Sequence, residues 1–77
     1  MHHLTVVRGS ERKLEAGRTL YMARARENPG VNLADLFGQV VEIYSSPRRV
    51  VDVEFTGGMG DSGSPAEAAL TVEYVYG

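Results

Sequence analysis

Two stretches near the end of the chain alternate with period two, and they constrain the fold more than any other feature. From Arg49 to Thr56, Val51, Val53 and Phe55 alternate with Val50, Asp52 and Glu54. From Ala69 to Tyr76, Leu70, Val72, Tyr74 and Tyr76 alternate with Thr71, Glu73 and Val75. Successive side chains of a strand point to opposite faces, so the pattern describes antiparallel strands with one face buried and one wet. The connection between them, residues 57–65, holds four Gly and two Ser with Asp61, residue types that permit turns. The expected result is a hairpin whose apolar face needs a partner and whose other face carries Asp52, Glu54 and Glu73.

Upstream, His3–Arg8 is β-branched and apolar and reads as a first strand. Ser10 can cap a helix that runs through good helix formers to Glu27, where Asn28-Pro29-Gly30 stops it. Leu14, Tyr21 and Ala25 would share its buried face. A rival reading makes the same segment a hairpin, with a turn at Glu15-Ala16-Gly17 and a strand Arg18–Arg26, because Tyr21, Ala23 and Ala25 alternate with Met22, Arg24 and Arg26. The helix is the reading adopted. A second helix is expected from the N-cap Asn32 to Ser45-Ser46-Pro47. Leu33, Leu36, Phe37, Val40, Ile43 and Tyr44 recur at steps of three and four and fill one arc. The order is then β-α-α-β-β: a small single α+β domain over residues 1–77, with a three-stranded, mostly antiparallel sheet and helices on one face.

A chain of 77 residues has room for one domain and a small core. It contains no cysteine, which removes disulfides and thiolate metal sites and fits a reducing compartment. No apolar run reaches the ~20 residues of a membrane span, and no signal peptide is apparent, so a cytoplasmic protein with no membrane partner is expected. Charge is unevenly placed. Residues 1–30 carry Arg8, Arg12, Lys13, Arg18, Arg24 and Arg26 against Glu11, Glu15 and Glu27. Residues 31–77 carry Arg48 and Arg49 against Asp35, Glu42, Asp52, Glu54, Asp61, Glu67 and Glu73.

One string looks catalytic. Gly60-Asp61-Ser62-Gly63-Ser64-Pro65 resembles the nucleophile loop of chymotrypsin-like serine proteases. That chemistry needs a histidine base, an orienting acid and an oxyanion hole. The histidines here are His2 and His3, at the chain start, and Ser64 stands where the protease string commonly has glycine. A turn accounts for the same letters, so no catalytic residue is assigned and no enzyme is expected. The same loop lacks the lysine and the following helix of a phosphate cradle. Met1-His2-His3 has a spacing that can wrap Cu(II) or Ni(II), a spacing common by accident, so no metal and no cofactor are expected.

What remains is binding. The leading expectation is a non-enzymatic interaction module that docks a protein partner through its acidic residues Asp52, Glu54, Glu73, Asp61 and Glu67. Size class alone suggests a phage or mobile-element inhibitor of host machinery as one form of it. A second expectation is a small nucleic-acid-binding domain using Arg12, Arg18, Arg24 and Arg26 of the basic half. A third is a structural homodimer or an accessory subunit, suggested by a small core and a free strand edge.

Overall fold

A computed structural model of the chain describes residues 2–56 and 66–75. They form strands β1 (His2–His3), β2 (Arg12–Lys13), β3 (Arg18–Arg24), β4 (Val40–Ile43), β5 (Ser46–Phe55) and β6 (Glu67–Tyr74). The strands make one sheet in the order β1-β4-β5-β6-β3-β2. The short β1 runs parallel to β4, and every other pairing is antiparallel. The described residues contain two single 3-10 turns, Ala25–Glu27 and Leu33–Asp35, and no longer helix.

The expected α+β fold, with helices on one face of three strands, is therefore corrected to a small all-sheet domain. In the segment read as a first helix, the hairpin is what forms. Ala16 (φ 61°) and Gly17 (φ 73°) take left-handed backbone between β2 and β3, a conformation that a continuous helix excludes. Ser10 caps nothing; its hydroxyl donates to Val7 O at 2.6 Å and accepts from Met22 N at 3.1 Å, tying the chain start to β3.

The second helix fails for a similar reason. Asn32 does accept from Ala34 N at 3.0 Å, but the helix it starts ends after one 3-10 turn. Gly38 then takes φ 79° and donates to Val50 O at 2.8 Å, and the chain continues as β4. Three of the four β4 residues are β-branched, which favours a pleated, packed strand over a helix. Two periods were superimposed here: Leu33 and Leu36 enter the core at a step of three, Val41 and Ile43 at a step of two.

The two late strands do pair antiparallel, as β5 with β6, but they run Ser46–Phe55 and Glu67–Tyr74, and a bulge changes their faces. Val50 opposes Val72, Asp52 opposes Thr71, and Val51 is the extra residue between them. The inner face takes Arg48 and Val50 before the bulge, then Val53 and Phe55 after it.

Closure comes from the N-terminal segment, which bonds to both flanks of the curled sheet. Leu4 N donates to Glu42 O at 2.8 Å on the β4 side, and Val7 N donates to Met22 O at 2.7 Å on the β3 side. Asn28 stands in for a strand between these points. Its Oδ1 accepts from Thr5 N at 2.7 Å, and its Nδ2 donates to Thr5 O at 2.9 Å and to Arg24 O at 2.8 Å. The interior thus enclosed holds Leu4, Val6, Tyr21, Ala23, Leu33, Leu36, Val41, Ile43, Val50, Ala68, Leu70 and Val72.

β4 and β5 meet in a two-residue connection, Tyr44 (φ 51°) and Ser45 (φ 63°), closed by the pair Ile43–Ser46. Both central residues lie in the left-handed region, the pattern of a type I′ turn, which prefers Asn-Gly. Tyrosine and serine hold it at a cost. Ser45→Gly is expected to raise stability by about 0.5–1 kcal/mol, or ~3–6 °C in melting temperature, measurable by thermal denaturation.

Candidate functional site

The turn at Tyr44 lies beside a cluster of aromatic rings around a buried arginine. β5 directs Arg48 to the inner face, opposite Val41 on β4 and Tyr74 on β6. The residue is only 6% exposed. Its guanidinium carbon lies 4.0 Å from the Tyr74 ring centroid and 5.8 Å from that of Tyr21. Its Nε donates to Ser46 Oγ at 3.3 Å. Tyr21, fully inside, meets Tyr44 edge-on with centroids 6.2 Å apart and rings at 69°. The cation thus lies close over the Tyr74 ring, where a desolvated cation–π contact is worth ~2 kcal/mol, and it also donates to the Tyr21 hydroxyl. The outer rings are open: Tyr44 is 61% and Tyr74 48% exposed.

Burial raises the Tyr21 phenol above its ordinary value of about 10, because the phenolate is the form it disfavours. Arg48 pulls the value down, while Glu11 and Tyr74 add to the rise. The unfolded phenol therefore ionises first as pH climbs. Tyr21's contribution to stability is complete below about pH 10 and is lost as pH rises through the folded value. Melting temperatures should fall above pH ~10, and Tyr21→Phe should make the fall shallower. An equally steep fall in the variant would contradict this assignment.

Register also places the residues expected from sequence to bind partners. Asp52, Glu54, Glu67 and Glu73 all lie on the outer face of β5 and β6, and Asp61 falls outside the described residues. Arg12, Arg18 and Arg24 lie on the same outer face, on β2 and β3, while Arg26 is exposed in a 3-10 turn. The face is consequently mixed in sign. Glu73 stands between Arg18 and Arg49 in the ladder. Glu67 accepts from Arg24 Nε at 3.3 Å and from Thr56 Oγ1 at 3.1 Å. Arg18 and Arg24 thus each stand opposite a carboxylate in the ladder, Glu73 and Glu67. The Gly60–Pro65 string, with Ser62, also lies outside the described residues.

His3 Nδ1 is 3.2 Å from Glu42 Oε1. Among the described residues, no group of three or more His, Asp or Glu side chains could hold a metal. A hollow of about 250 Å³ is lined by Gly30, Val31, Asn32, Asp35, Leu36 and Gln39. Two of its polar groups, Asn32 Nδ2 and Asp35 Oδ2, satisfy each other at 3.2 Å. No helix among the described residues is long and apolar enough to cross a membrane.

Sequence reasoning missed the Tyr–Arg group. Tyr74 has the parity of the buried Leu70 and Val72 yet is about half exposed. Arg48 shares the inward parity of Val50, yet counting from Val53 and Phe55 puts both on the wet face. The Val51 bulge reverses that count, and the doublet Val50-Val51 was its one local signal.

No family model matches the chain, and no curated protein or solved structure matches it either.

Proposed function

We propose that this chain is a non-enzymatic, cytoplasmic interaction module that binds a protein partner with the tyrosine–arginine end of its closed sheet. One observation carries the reading: Arg48 is held 4.0 Å from the Tyr74 ring while Tyr74 and Tyr44 keep about half or more of their surface open. Tyrosine and arginine are enriched at the energetic centres of protein interfaces, where a rigid ring contributes area at little entropic cost. The turn strengthens the case. Tyr44 stands at φ 51° where asparagine would be easier, and such strain is typical of ligand clamps. The test is quantitative capture with the immobilised chain. A stoichiometric protein retained by the wild type and lost with Tyr74→Ala supports the reading. Equal retention by both would refute it.

A further inference from the structure

We propose that the outer face of β2, β3, β6 and β5 is the interface of a weak symmetric dimer of this chain, in which Arg12 of one copy meets Asp52 of the other. This goes beyond the protein-binding reading above and uses a different surface. Arg48 and Tyr21 are buried on the inner side of the sheet, so the dimer leaves the tyrosine–arginine end free.

Cross-strand rows make up this face. One row runs Arg12, Leu20, Thr71, Asp52 across β2, β3, β6 and β5. Beside it runs Leu14, Arg18, Glu73, Arg49, where Leu14 N donates to Arg18 O at 2.8 Å. On the other side lie Met22, Ala69 and Glu54, then Arg24 and Glu67. Leu20 and Met22 are half-buried at the middle, and Leu14 is 38% exposed at the rim. Charge is sorted by side. Arg12 and Arg18 stand on β2 and β3, whereas Asp52, Glu54 and Glu73 stand on β5 and β6. None of these residues makes an ion pair among the described residues. An apolar centre with a charged rim is the make-up of a protein interface.

A second copy fits because the face is complementary to itself. A twofold axis parallel to the strands, between β3 and β6, lays β2 of one copy on β5 of the other and β3 on β6, row on row. Arg12 then faces Asp52, Arg18 faces Glu73, Arg24 faces Glu67 and Met22 faces Ala69. Arg49 lays its apolar stem over Leu14. A twofold axis across the strands instead puts Arg18 on Arg24 and Glu73 on Glu67, which repel. Charge therefore selects the first arrangement, whose strands stay aligned as in packed sheets. Within one copy Arg12 and Asp52 are three strand spacings apart, ~14 Å, so only a second copy brings them into contact. The curled sheet is convex outward, so the central rows alone touch and association is weak.

Sedimentation equilibrium of the chain from about 10 μM to 1 mM tests this, the range in which a small interface becomes populated. The expected wild-type mass climbs from monomer toward dimer. Arg12→Glu and Asp52→Arg should each weaken association about tenfold or more, because each puts two like-charged contacts into the symmetric dimer. Both positions are exposed, so melting temperatures should stay within ~3 °C of the wild type. An equimolar mixture of the two variants should associate as the wild type does, since both of its contacts pair opposite charges. The double variant should do the same. A monomeric mass at every concentration, or single variants that associate like the wild type, would overturn the interface. Weakened single variants that mixing does not restore would refute the Arg12–Asp52 contact and the axis with it. Either failure leaves protein capture through Tyr74 standing or falling on its own experiment.

Discussion

Replacing Asn28 by aspartate is expected to destabilise the fold by about 3 kcal/mol or more. The side chain is 4% exposed and makes three hydrogen bonds with the backbone of Thr5 and Arg24. Two of them run from Nδ2 to carbonyl oxygens. In aspartate an oxygen takes that position and faces the carbonyls of Thr5 and Arg24. If ionised, it is a buried charge next to two acceptors; if protonated, its single O–H serves one of them. Asn28→Ala avoids the repulsion but orphans the Thr5 N–H and two carbonyls, and should cost about 2–4 kcal/mol. A domain of this length has roughly 4–12 kcal/mol in total, so the aspartate variant approaches the limit of folding. Urea unfolding midpoints with an unchanged denaturant slope measure both. A loss below about 1 kcal/mol in Asn28→Ala would show that the N-terminal segment closes the sheet without this side chain.

The second large effect is on binding, and it separates function from stability. Tyr44→Asn should reduce partner affinity by about 30-fold, equivalent to ~2 kcal/mol, the scale of an aromatic hot-spot residue. The fold should not suffer in proportion. Asparagine tolerates left-handed backbone, so relief of strain at φ 51° offsets the lost edge contact with Tyr21. The expected variant is as stable as the wild type and a much poorer binder. Isothermal titration with the captured partner, beside a thermal melt, measures the two quantities independently. A variant that loses stability and affinity in equal measure would make Tyr44 a structural residue instead.

The sequence showed most clearly those elements whose pattern depends on one strand alone. β5 and β6 were legible because alternation is a local property of a half-buried strand, and Asp52, Glu54 and Glu73 were placed together on the wet face for the same reason. The central segment was not legible. Leu33, Leu36, Val40 and Ile43 satisfy helical spacing by combining a 3-10 turn with a strand, and only the left-handed Gly38 between them separates the two. The β2–β3 hairpin was visible as a rival reading, since Ala16-Gly17 is a poor helix interior. The helix-forming composition around it favours the helix locally, and tertiary pairing with β6 overrides that preference. The site was hidden for a sharper reason. A single bulge residue, Val51, decides whether Arg48 points inward, and no count of parity crosses a bulge unaided. The mixed charge of the outer face also depends on register, which brings Arg18 and Arg49 to either side of Glu73.

The central claim is that the tyrosine–arginine end, not the outer sheet face, contacts the partner. Photo-crosslinking from single positions tests it most directly, with a benzoylphenylalanine placed in turn at Tyr44, Glu54 and Arg12. Position 44 lies in the exposed turn between β4 and β5, whereas positions 54 and 12 lie on the outer face, on β5 and β2. The predicted result is a partner adduct from position 44, with little from 54 or 12. An adduct from 54 or 12, with none from 44, would move the contact to the outer face and contradict the account.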